Sequence, residues 1–256
     1  MEKILAVRKL EKKFGGLAAI SSLDLDVYEK EILGIIGPNG AGKTTFFNTV
    51  SGFFPPTRGE VIFNKENITG LKADKIAKLG LNRTFQLTTL FMEMSVLDNV
   101  FTGYHLNYKT SIVKSWLRSS RARKEEQTLR KEALEILEFM GIAHLKKERA
   151  ASLPHGHQRI LAVCMALATN PKLLLLDEPM SGMNNVETEN MIGLIRQMRD
   201  RGISVVLVEH DMKAVMNLCD RIIVLNYGRK IAEGLPKEIG ESKIVIEAYL
   251  GRKGVR

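Results

Sequence analysis

The sequence predicts an α/β protein: a parallel sheet with helices on both faces, an antiparallel β segment before it and a helical insertion within it. Three observations point there. Nearly continuous apolar runs such as Ile32–Ile36, Leu173–Leu176 and Ser204–Val208 alternate with helical patterns, as strands buried on both faces do. Residues 1–30 instead alternate apolar and polar, with Ile4, Ala6 and Val7 and then Leu23, Leu25 and Val27, the period of half-buried antiparallel strands. Between residues 90 and 149 strand signals give way to helical ones, and Leu129, Ala133, Ile136, Leu137 and Met140 share one helix face.

Taken in order, the early strands are expected to be short and to form a sheet edge. The strand Ile32–Ile36 breaks into a Gly-rich turn, and a helix runs from Lys43 to Val50 until Gly52 and Pro55-Pro56 end it. Gly59–Phe63 reads as another strand. After the insertion the order is helix Gln158–Ala168, strand Leu173–Leu176, helix Val186–Met198, strand Ser204–Val208, helix Met212–Leu218 and strand Arg221–Leu225. The basic end, 251–256, is expected to fray.

A chain of 256 residues can bury a full core as one domain with a sizeable insertion. The net charge of +9 favours an anionic partner: nucleotide, nucleic acid or an anionic membrane face. No apolar run approaches the roughly 20 residues of a spanning helix, and Leu173–Leu176 is cut short by Asp177-Glu178. The first residues lack the basic start and apolar middle of a secretory signal, so a cytoplasmic location is expected. Cys164 and Cys219 sit far apart in apolar contexts and read as buried small hydrophobes.

The chemistry starts at Gly37-Pro38-Asn39-Gly40-Ala41-Gly42-Lys43-Thr44, which satisfies G-x-x-x-x-G-K-[ST], with Thr45 extending the polar helix start. Glycines let the backbone approach phosphate oxygens closely, with its N–H groups turned inward. Lys43 adds a point charge for the β- and γ-phosphates, and Thr44 offers a hydroxyl to Mg²⁺. The helix beginning there presents its positive dipole end to the anion. Leu173–Leu176 then delivers Asp177-Glu178-Pro179 to the end of a buried strand, where open α/β sheets bind ligands. Asp177 can support Mg²⁺, and Glu178 can deprotonate the attacking water.

With Arg83-Thr84-Phe85-Gln86 and Glu209-His210-Asp211 added, the sequence resembles the ATP-binding subunits of ABC transporters over nearly its whole length. The resemblance implies a P-loop NTPase (RecA-like) core with an N-terminal antiparallel β subdomain and an inserted α-helical subdomain. The division it implies is 1–88 and 155–235 for core and β subdomain, 89–154 for the helical part and 236–256 for a C-terminal extension. ATP and Mg²⁺ are the implied ligands. Catalysis falls to Glu178, His210, Gln86 and Lys43, and the metal to Thr44, Gln86 and Asp177. Gln86 would touch Mg²⁺ and the attacking water and join the core to the insertion, His210 would sense the γ-phosphate, and Phe14 would stack on adenine where Tyr is commoner.

The family's Leu-Ser-Gly-Gly-Gln signature corresponds to Leu153-Pro154-His155-Gly156-His157, which keeps only Leu153 and Gly156. In the family this loop closes across a dimer on the γ-phosphate held by the other subunit, and Pro154 brings neither hydroxyl nor N–H to that contact. Asn184 stands where the family's D-loop usually has Asp. The Arg83–Gln86 and Leu90–Val100 segments look closest to the branched-chain amino-acid (Liv-type) importer ATPases, as does the basic-acidic helix Trp116–Glu138. That subgroup implies transmembrane permeases, a second ATPase chain, a periplasmic-type binding protein acting indirectly, a peripheral place on the cytoplasmic side of the inner membrane, and no nucleic acid.

Rival readings are a lipopolysaccharide-export ATPase, whose pattern is similar, and a DNA-repair or chromosome ATPase with the same head. The second needs a long coiled arm, for which residues 87–152 are too few. The cluster Arg118, Arg121, Arg123, Lys124, Arg130 and Lys131 is interleaved with Glu125, Glu126 and Glu132, which reads as a solvated face.

Overall fold

The computed structural model describes residues 2–84, 90–104 and 120–250. The alternating N-terminal segment folds as two antiparallel strands, β1 (Lys3–Phe14) and β2 (Leu17–Tyr28). The apolar run that follows is β3 (Ile32–Ile36), which enters a second sheet. β4 (Arg58–Phe63) and the two-residue β5 (Glu66–Asn67) return to the first, ordered β2-β1-β4-β5. The expectation of short edge strands is therefore corrected: both run 12 residues, and β1 is interior because β4 pairs with its other side. Register shifts between Val7 and Leu10 and again around Lys12 break the alternation, so one long strand reads as fragments.

The second sheet adds β6 (Leu81–Arg83), β7 (Leu173–Asp177), β8 (Ser204–Val208), β9 (Arg221–Asn226) and β10 (Arg229–Gly234), in the order β10-β9-β3-β8-β7-β6. Every pairing is parallel except that of β10 with β9. Strand alternation divides the core in two. Ile36, Leu176 and Leu207 face the helices and the insertion, while Ile35, Leu175 and Val206 face the antiparallel sheet together with Phe46 and Phe47. Both layers are dry, which explains why these strands read as unbroken apolar runs.

Helices Lys43–Val50 and Met212–Leu218 fall where the sequence places them. The helix expected from Gln158 begins at His155, because Pro154 occupies the N-cap, where its missing N–H costs no intrahelical bond. The one expected over Val186–Met198 spans Asn185–Asp200. Its start is fixed by a capping box in which Asn184 accepts from Val186 and Glu187 while Glu187 accepts from Asn184. Ala73–Leu79, β6, β10 and the helices Pro236–Glu241 and Lys243–Leu250 escaped the sequence pattern, being short or polar.

In the insertion, helix Val96–Gly103 is capped by Ser95 and helix Ser120–Phe139 buries Leu129, Ala133 and Leu137, with Met140 just beyond it, as their spacing predicts. Arg130 pairs with Asp98 and Glu126. Arg118, the start of the helix expected from Trp116 and the basic end 251–256 lie outside the described residues. Both cysteines are free and buried, and burial pushes the Cys219 thiol up to about 12.

Candidate nucleotide site

Strands β3, β7 and β8 are neighbours running the same way, so the loops leaving their C-terminal ends meet at one rim. From β3 comes the turn 37–42. A Cβ on Gly37 would lie 2.1 Å from the Leu225 carbonyl oxygen, and one on Gly42, at φ 102°, would lie 2.6 Å from that of Ala19. Only glycine fits either place, which presses this turn against β2 and the end of β9 and gives it its cradle shape. The helix that follows has no side-chain cap and no acidic residue in its first turn, so its leading N–H groups stay open to an anion.

Lys43 is 6% exposed and its Nζ donates to the carbonyls of Gly37 at 2.6 Å and Pro38 at 3.2 Å, folding the side chain back over the turn. Burial holds its pKa below the ordinary lysine value, and the nearby carboxylates of Glu178 and Asp177 work against that depression. Thr44 is exposed and Thr45 half-buried. A buried cation, open helix amides and a glycine-shaped turn fit a phosphate chain.

β7 ends on Asp177, which is buried and takes a 2.5 Å bond from Arg83. Arg83 also donates to Asn48 on the phosphate-loop helix, and the Asp177 amide donates to the Thr84 hydroxyl at 3.3 Å. Next to it, Glu178 sits at φ 50°, in the left-handed region, with its amide donating to the Val208 carbonyl at 2.9 Å. For a non-glycine residue such a conformation costs about 1–3 kcal/mol and survives where the surroundings over-determine it. Nε2 of His210 lies 2.9 Å from Glu178 Oε1. A carboxylate only accepts, so the imidazole carries its proton on Nε2 in this contact.

Thus Lys43, Asp177, Glu178 and His210 are brought together, while Gln86 lies outside the described residues. Phe14 ends β1, 44% exposed, edge-on to Phe54 at 5.5 Å with the Lys12 ammonium 5.0 Å from its ring centre, a surface open to a planar base. Leu153 is buried, His155 exposed, and Nδ1 of His157 is buried with no partner among the described residues. Gly156 lies against the Glu187 carboxylate, 2.7 Å from where its Cβ would be. Among the described residues no hydrogen bond joins 153–157 to 37–45. Asn184 spends its side-chain oxygen on the helix cap.

Sequence alone gives Arg83 and Glu209, named within their motifs, no role of their own. A charged residue closing a short strand and an acid flanking the candidate histidine were the available signals. Nor does the sequence reveal an apolar cleft of about 530 Å³ between the core and the insertion, lined among others by Ala77, Thr84, Phe91, Gly103, Ala162 and Met165.

Such a cradle at the head of a parallel sheet, an acidic pair at the end of β7 one strand removed from it, and a helical insertion define the ATP-binding cassette of an ABC transporter. A family model described as "ABC transporter" matches residues 20–181, and one described as "Branched-chain amino acid ATP-binding cassette transporter" matches 229–254. The high-affinity branched-chain amino acid transport ATP-binding protein LivG of Escherichia coli is 39% identical over 251 residues, 98% of each chain. BraF of Pseudomonas aeruginosa, of the same description, is 39% identical over 249 residues, 97% of this chain and 98% of that one. A crystal structure of an ATP-binding cassette of an ABC transporter in its ADP conformation superposes with a TM-score of 0.87 at 30% identity, covering 98% of this chain and all of that one. The chain belongs to the branched-chain amino acid transport ATP-binding family of ABC ATPases.

Proposed function

We propose that this chain hydrolyses Mg²⁺-ATP on the cytoplasmic side of the inner membrane to drive import of branched-chain or related amino acids. It works there through separate permease subunits, a second ATPase chain and a periplasmic-type binding protein. The observation that carries the reading is the 2.9 Å contact of Glu178 with His210 on the rim that also holds the buried Lys43. Lys43 and the open helix amides hold the phosphates, Phe14 stacks on adenine, Glu178 takes the proton of the attacking water, and His210 orients Glu178 and meets the γ-phosphate. When bound, Mg²⁺ neutralises phosphate oxygens. The Thr44 hydroxyl, the Asp177 carboxylate and Gln86 would hold it, all hard oxygen donors of the kind it prefers.

The apolar cleft lined by Thr84 and Phe91 supports a permease contact there, since Phe91 on its wall is 51% exposed, and Met92 and Met94 are exposed too. Reconstitution with the two permeases, the partner ATPase and the binding protein tests the function. Labelled leucine should accumulate in vesicles only with ATP, and accumulation independent of ATP would refute it.

The substituted signature makes a separate prediction. Pro154 caps its helix without any side-chain bond, so a hydroxyl there would add a donor toward a phosphate presented by the partner chain. Pro154→Ser is expected to leave ATP affinity of the isolated chain unchanged and to raise steady-state hydrolysis of the assembled transporter. Comparing complexes in which the partner's general base is intact or disabled assigns the gain to the partner's site. An unchanged rate there would mean that Gly156 and the helix end already suffice.

A further inference from the structure

β8 ends on Val208, and the next residue, Glu209, is 3% exposed. Its two carboxylate oxygens serve different loops. Oε1 accepts from the amide of Met180 at 2.7 Å, and Oε2 accepts from the amide of His210 at 3.0 Å. Met180 lies two residues past Glu178, in the turn leaving β7, and His210 is the residue whose ring meets Glu178.

Burial pushes the Glu209 carboxyl above its ordinary range, and the two amide bonds pull it back. Ionised, it accepts from both amides at once. Glutamine would turn an NH₂ group toward one of them, donor against donor, and aspartate is a methylene too short to span both. The turn it grips carries Glu178 in the left-handed region, a placement that needs external support.

Resting on the reading of Glu178 as general base, we propose that Glu209 is a positioning residue for hydrolysis. It ties the turn that carries Glu178 to the backbone of His210, so the two side chains keep one relative placement. Neither of its two bonds touches the phosphate loop, so its loss acts on turnover rather than on nucleotide affinity.

The test is a double-mutant cycle in the assembled transporter, reading kcat and ATP affinity for wild type, Glu209→Gln, Glu178→Gln and the double variant. Misplacement by an ångström can cost about 10²-fold, so Glu209→Gln is expected to lower kcat by about 10- to 100-fold with ATP affinity within about twofold of wild type. Because it acts through Glu178, it should cost less than about twofold more once Glu178 is already glutamine. Wild-type kcat in Glu209→Gln, or the same fold loss in both backgrounds, overturns the proposal while leaving Glu178 as the base. Full turnover in Glu178→Gln alone instead overturns the general-base reading, and the positioning role with it. Should Glu209→Gln not fold, Glu209→Asp carries the same test, with an expected loss of about 3- to 10-fold that again vanishes in the Glu178→Gln background.

Discussion

Lys43→Ala is expected to abolish tight ATP binding. The lysine is the one cation of the described phosphate loop, and it is nearly sealed from solvent with two of its own loop's carbonyls as partners. A bound triphosphate would add several negative charges to a rim that already holds Asp177 and Glu178. Without the ammonium, that charge faces neutral amides, the Glu178 carboxylate and an Asp177 whose one charge is already paired with Arg83. Losing one partner of a buried charged contact costs about 3–5 kcal/mol, which is a factor of at least ~10² in affinity. The alanine also leaves the Gly37 and Pro38 carbonyls without their donor, so the empty loop loses its internal tie. Nucleotide titration followed by calorimetry reads the effect directly, and a variant with wild-type affinity and turnover would remove Lys43 from the site.

The cradle was legible because its chemistry is local: eight consecutive residues specify the turn, the lysine and the helix start. Likewise β3, β8 and the helices Lys43–Val50 and Met212–Leu218 match the sequence reading end for end, since apolar runs and glycines mark their limits. β6 was not legible. Two of its three residues are polar, and its strand character comes from pairing with β7, far along the chain. The same distance hid Arg83, which reaches Asp177 across 94 positions, and Glu209, which reaches Met180 across 29. Nothing in an isolated arginine or glutamate says which remote backbone will arrive beside it. Pro154 and Asn184 show a third case, in which residues marked for the nucleotide are also helix caps whose structural role follows from local geometry.

Glu178→Gln separates binding from chemistry most sharply. Glutamine keeps the size of the side chain, and its Oε1 can still accept from His210 Nε2, so the 2.9 Å contact survives. The left-handed backbone at 178 asks the same of glutamine as of glutamate, so strain does not change. Lys43, the glycine turn and the open helix amides are untouched, and ATP affinity should stay near wild type. What disappears is the ability to take a proton from the attacking water, for which no other carboxylate is placed among the described residues: Asp177 is held by Arg83 and Glu209 by two amides. Hydrolysis is therefore expected to fall by at least about 10²-fold at unchanged affinity. With the γ-phosphate retained, two ATPase chains should stay closed around unhydrolysed nucleotide, so size-exclusion in Mg²⁺-ATP, run with the natural partner chain, should show a dimer that wild type forms only transiently. A variant that turns over at the wild-type rate, or that stays monomeric with ATP bound, would move the general base away from Glu178.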